Sequence, residues 1–138
     1  MRKRIGSSCG RFFKESHNNF DFLIEDLGYE SLPDRKLGNE CSVGYRVLPD
    51  IAIIIVYEIG KRPWVQITCR SPKGGHKEYF LDNLIRTKGI KHAEEVLSSP
   101  IGESFDSVER VIRFYSVILR KHFLKELSRQ VPFVATGE

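Results

Sequence analysis

The sequence predicts an α+β fold: an antiparallel meander of three or four strands, packed by an N-terminal helix and a long C-terminal helix. Three observations carry this. Residues 51–58 (IAIIIVYE) are apolar on both parities, with Ile51, Ile53, Ile55 and Tyr57 on one side and Ala52, Ile54 and Val56 on the other. Strand side chains alternate between faces, so such a run reads as an interior strand covered on both. Residues 60–63 (GKRP) break the run, and residues 64–69 then alternate cleanly, with Val65, Ile67 and Cys69 facing one way and Trp64, Gln66 and Thr68 the other. That is a hairpin with a Gly/Pro turn. Finally, Phe105, Val108, Ile112, Tyr115, Leu119 and Phe123 recur at helical spacing within residues 104–129.

The remaining elements follow in chain order. A length of 138 residues suits one domain. Residues 1–9 are basic and small and read as a flexible tail, leaving residues 10–138 as the domain. Over residues 11–27, Phe13, Phe20, Leu23, Ile24 and Leu27 keep helical spacing, and Gly28 stands where a left-handed C-terminal cap belongs. Residues 29–42 show little periodicity and read as a loop. Val43, Tyr45 and Val47 give a first strand, turned by Pro49-Asp50 into the central one. The loop 71–77 (SPKGGHK) leads to residues 78–81, a fourth strand or the lead-in to a helix. Residues 82–87 form a short helix stopped at Lys88-Gly89, and residues 90–97 form another. Ser104 or Asp106 caps the last helix. Its apolar face is widened by Val111, Phe114, Ile118 and Leu127 beyond the usual stripe. The excess is covered by the first helix, by the 82–97 segment, or by a second chain in a homodimer through this helix.

Charge is unevenly spread. The formal net charge is +4, yet residues 1–14 carry +5, residues 15–58 carry −6, residues 59–92 carry +6 and residues 93–138 carry −1. The chain is polar in charge rather than uniformly basic. The cysteines Cys9, Cys41 and Cys69 are odd in number, with no C-x-x-C and no histidine at ligand spacing. This argues against a disulfide framework and against structural zinc, and points to a reducing, cytoplasmic setting. No apolar h-region follows the basic start, and no run is long enough to span a membrane.

No catalytic arrangement is present, and no cofactor or metal is expected. His17, His76, His92 and His122 fall in four different elements without ligand neighbours. Glu58 reads as a solvated strand-end residue. Lys73-Gly74-Gly75-His76-Lys77 has the chemistry to cradle a phosphate but reads first as a surface loop. On the first helix, Arg11 and Lys14 at the start and Glu25 and Asp26 at the end oppose the macrodipole. Either solvent screens these charges or the acidic end is kept for a partner. The candidate partner-binding residues are therefore Asp21, Glu25, Asp26, Glu30 and Asp34, with Arg62 and Trp64 at the hairpin tip. Trp64 reads first as cover for the sheet and second as an interface residue. The alternative is a nucleic-acid surface made by Lys61, Arg62, Arg70, Lys73, Lys77, Arg86, Lys88 and Lys91. In a meander, however, the Lys61-Arg62 turn and the loop from Arg70 to Lys77 fall at opposite ends, whereas phosphates want cations on one surface.

Helix, loop, V-x-Y-x-V (Val43, Tyr45, Val47), I-x-I-x-I-x-Y (Ile51, Ile53, Ile55, Tyr57) and W-V-x-I (Trp64, Val65, Ile67), followed by helices, resemble the small α+β immunity proteins of bacterial toxin systems. The resemblance covers roughly residues 11–86 as a hydrophobic pattern. It implies a non-enzymatic protein that binds and blocks a toxin, and it carries over no binding residue. Immunity proteins against nucleases are usually acidic, so this basic chain would have to use its acidic 15–58 segment.

Overall fold

The computed structural model describes residues 2–47, 51–70, 74–98 and 105–134, with side chains from Ser8 onward. The expected turn at Pro49-Asp50, the Lys73 position and the Ser104 cap lie outside the described residues. The sheet is antiparallel. Two short strands, β1 (Glu30–Ser31) and β2 (Arg35–Leu37), both pair with β3 (Glu40–Val47). From β3 the sheet continues through β4 (Ile51–Glu58) and β5 (Trp64–Arg70) to β6 (His76–Phe80). Strands β3 to β6 are the expected meander in its four-stranded form, and β4 has the bounds read from the sequence. The helices are α1 (Arg2–Phe20), α2 (Phe22–Leu27), α3 (Leu81–Lys88), α4 (Ala93–Leu97), α5 (Phe105–His122) and α6 (Leu124–Leu127).

Odd-numbered strand residues build the core. Cys41, Val43 and Tyr45 of β3, Ile53, Ile55 and Tyr57 of β4, and Val65 and Ile67 of β5 are all buried. Helices meet this side. The Tyr57 ring lies 5.5 Å from Phe12 of α1 and 5.9 Å from Phe105 of α5, and α3 buries Leu81, Leu84 and Ile85 beside β5 and β6. The even-numbered side departs from expectation. Ala52 and Ile54 are only half-buried, Phe80 is 46 % exposed, and Glu40, Arg46 and Arg70 are exposed. Val56 is buried, with Trp64 as its register partner on β5, while the side chains of Ile54 and Leu32 close over Gly44. Neighbouring side chains, rather than a second layer of helices, shield this face, so two-sided apolarity overstated its burial.

The first helix begins earlier and ends sooner than its periodicity suggests. Residues 1–9 read as a tail, but α1 starts at Arg2 and Cys9 is buried in the core. Arg11 and Lys14 are therefore interior helix positions, and their conflict with a helix N-terminus disappears. The helix stops at Phe20, where the Asn19 amide donates to the Glu15 carbonyl at 2.8 Å and competes for backbone groups. Gly28 closes α2 at φ 76°, as expected, with Gly28 N–H donating to Ile24 O and Tyr29 N–H to Leu23 O. Residues 29–42 hold β1 and β2 instead of a plain loop; at two and three residues, with exposed side chains, these edge pieces leave no periodic trace.

Cys9 of α1 and Cys41 of β3 form a disulfide, with Cα atoms 6.0 Å apart. This overturns the inference from the odd cysteine count: two of three cysteines can still be brought together by helix-on-sheet packing. The C-terminal helix ends at His122, and a separate turn, α6, follows Phe123. Its second apolar row finds cover within the chain. Val111 and Ile118 are buried and Phe114 is half-buried, with α5 packed along α1. Ser116 Oγ donates to Asn19 O at 2.6 Å, and Arg11 reaches Glu109 at 2.8 Å across the same seam.

Candidate functional site: an acidic recess at the α1–α2 junction

The break between α1 and α2 shapes the site. His17 and Asp21 are four residues apart and face the same side of the helix end. The sheet brings Tyr45 beneath them, and the β1–β2 link brings Asp34 alongside. His17 Nε2 lies 2.8 Å from Asp34 Oδ1, and His17 Nδ1 lies 3.2 Å from Asp21 Oδ1. The Tyr45 hydroxyl donates to Asp21 Oδ1 at 2.8 Å and sits 3.2 Å from His17 Nδ1. A recess of about 220 Å³ opens beside this network, lined by His17, Asn18, Asn19, Asp21, Phe22, Glu25 and Arg120. Arg120 of α5 stacks over the Phe22 ring at 4.7 Å and approaches Asp26 at 3.9 Å.

The electrostatics follow from this geometry. Burial works to lower the His17 pKa, but the hydrogen bonds that the ring makes to Asp34 and Asp21, with the negative charge of those carboxylates, outweigh it and raise it above the ordinary 6.5. Burial, reinforced by the hydrogen bond to Asp21, drives the Tyr45 phenol well above its ordinary value, so it stays a neutral donor.

Four candidate partner-binding residues meet here. Asp21 and Glu25 line the recess, while Asp34 and Asp26 reach it through His17 and Arg120. Glu30 stands apart on β1, ion-paired with its register partner Arg46. Arg62 and Trp64 also lie elsewhere. Arg62 hydrogen-bonds the Tyr115 hydroxyl, which itself donates to Asp82 at 2.6 Å. Trp64 is half-buried on the even face of the sheet, its indole N–H donating to Gln66 at 3.2 Å. Tyr45 and Arg120 were not identified from the sequence. The i, i+4 spacing of His17 and Asp21 could have flagged the pair; only strand placement reveals Tyr45.

Among the described residues, the basic side chains of 59–92 do not form one cluster. Lys61 pairs with Glu58 at 3.2 Å, Arg86 with Glu94 at 2.6 Å, and Lys88 with Glu126 at 2.6 Å. Arg70 and Lys77 lie on adjoining strands at the far end of the sheet from Lys61, and exposed Lys91 belongs to the turn before α4. Among the described residues, no cluster of three or more His, Cys, Asp or Glu has metal-binding geometry, and no described helix is long and apolar enough to cross a membrane. Compared with protein-family models, curated proteins and solved structures, the chain matches none.

Proposed function

We propose that this chain is a protein-binding module without catalytic activity, immunity-like in that it holds and blocks a partner protein, and that it docks a basic segment of that partner at the acidic recess. One observation carries the reading: Asp21 and Glu25 line one recess, and Asp26 of α2 and Asp34 of the β1–β2 link contact two further lining residues, Arg120 and His17. A local negative field beside an apolar Phe22 ring favours a Lys/Arg-bearing loop or helix. The network beneath it supplies rigidity. The bridge between Cys9 and Cys41 favours an oxidising setting over the reducing cytoplasm that the cysteine count suggested.

Affinity capture with the wild-type chain beside the variant Asp21→Asn/Glu25→Gln/Asp26→Asn tests this. A basic protein retained by the wild type and lost with the variant is expected; identical retention profiles would sink the reading. The nucleic-acid alternative has its own discriminator, an electrophoretic shift on duplex and single-stranded DNA across a salt titration. With Lys61, Arg86 and Lys88 each paired to a carboxylate, no shift is expected near physiological salt.

A further inference from the structure

The His17 ring is placed so that one proton decides how Asp21 is bound. Its Nε2 lies 2.8 Å from Asp34 Oδ1, and its Nδ1 lies 3.2 Å from Asp21 Oδ1. An ionised carboxylate only accepts, so both contacts are hydrogen bonds only when both ring nitrogens carry hydrogen, in the imidazolium. Asp21 Oδ1 then has two donors from within the chain, His17 Nδ1–H and the Tyr45 hydroxyl at 2.8 Å. Loss of one proton leaves a single N–H between two carboxylates. The shorter contact keeps it: Nε2–H stays on Asp34, and Nδ1 turns a lone pair toward Asp21. The Tyr45 hydroxyl, 3.2 Å from Nδ1, is the donor at hand to fill that lone pair. Burial and the neighbouring Asp21 charge keep the phenol protonated, so it remains a donor in both states. Once it swings to Nδ1, Asp21 has lost both of its donors.

Asp21 lines the recess and its side chain is 41 % exposed, so the freed carboxylate is within reach of an incoming cation. Asp34 stays tied to the ring in both states, and the link between β1 and β2 does not come loose with the proton. The recess adds Glu25 of α2 and Arg120 of α5, charges of opposite sign whose influences on the ring oppose each other. We infer that the proton on His17 Nδ1 gates the recess. While it is present, Asp21 is held by the chain's own donors; its loss frees Asp21 for a Lys or Arg side chain of the partner. Docking therefore strengthens as pH rises and weakens in acid. The inference rests on the docking role proposed above for this recess. In the exchange one proton passes from Nδ1 to solvent and the recess gains one unit of negative charge. By the reciprocity of linked binding, a docked cation in turn makes that proton easier to lose.

Proton–nitrogen NMR of the full chain alone tests the gate without a partner. Across the His17 titration, the neutral ring should carry its hydrogen on Nε2, and the Asp21 carboxyl carbon should shift with the same midpoint. A neutral ring with its hydrogen on Nδ1, or an Asp21 signal that ignores the midpoint, overturns the inference. Tyr45→Phe removes the hydroxyl that serves Asp21 in one state and Nδ1 in the other, and should move the midpoint upward; an unmoved midpoint overturns the relay. The docking arm uses acetylated hexa-arginine amide, whose charge is constant over this range, in calorimetric titrations on either side of the midpoint. Wild type should bind it about tenfold more tightly on the alkaline side. His17→Gln should bind it equally on both sides, and circular dichroism checks that both variants keep the fold. Wild-type binding of equal strength on both sides overturns the gate and leaves the docking role standing. Absence of binding at either pH counts against the docking role, and the gate falls with it.

Discussion

His17 and Asp34 meet across a 2.8 Å hydrogen bond that ties the end of α1 to the link between β1 and β2. The same imidazole contacts Asp21, so one ring spans two carboxylates from separate parts of the chain. Its folded pKa is raised above the unfolded 6.5. The protonated ring is therefore the stabilising form: its contribution is fully present below about pH 6.5 and is lost as pH climbs through the raised folded value. Wild-type thermal stability should fall relative to His17→Gln as pH rises above the ordinary histidine value of 6.5. An NMR titration of the His17 ring gives the folded pKa directly, and a value below 6.5 would contradict the network.

The Cys9–Cys41 bridge closes a loop with a sequence separation of 32 and joins α1 to the sheet. By loop entropy, reduction or Cys9→Ser should destabilise the chain by about 3–4 kcal/mol. Urea unfolding with and without reductant measures it. Cys69, outside the bridge, serves as the control: Cys69→Ser should leave the reductant sensitivity unchanged.

Lys88 holds Glu126, which is 7 % exposed, at 2.6 Å, and its ammonium also lies 4.3 Å from the Phe123 ring centroid. Removing the cation strands a nearly buried carboxylate. Since Lys88 itself is a third exposed, Lys88→Met should cost about 2 kcal/mol, less than a fully buried pair. The double variant Lys88→Met/Glu126→Gln should recover part of that loss in a denaturant double-mutant cycle.

Gly44 lies where the open face is tightest. A Cβ there would stand 2.9 Å from Ile54 Cδ1 and 3.0 Å from Leu32 Cδ1. Both atoms end flexible side chains, so Gly44→Ala should cost about 1 kcal/mol rather than prevent folding. Adding Leu32→Ala removes one obstruction and should return part of the loss. Equal stability of Gly44→Ala and wild type in chemical denaturation would show that the side chains yield freely.

The sequence by itself determined the local elements with strong periodicity: β4 with its bounds, the alternation of β5, the Gly28 cap and the main stripe of α5. Alternation and helical spacing are properties of neighbouring residues, and one buried face imposes them along a whole element. It also marked Asp21, Glu25, Asp26 and Asp34 as acidic residues of one segment. Only the tertiary structure decided that Asp21 and Glu25 line one recess, with Asp34 and Asp26 tied to its lining while Glu30 pairs elsewhere with Arg46, because their grouping depends on where α1 breaks and how the β1–β2 link folds over His17. Tyr45 entered the site through the placement of β3 under α1. Cys9 met Cys41 through that same packing, which no cysteine count contains. The open face of β4 likewise depended on which side the helices chose. A strand apolar on both parities leaves that choice undecided, and the helices α1, α3 and α5 all settle on the side of Tyr57.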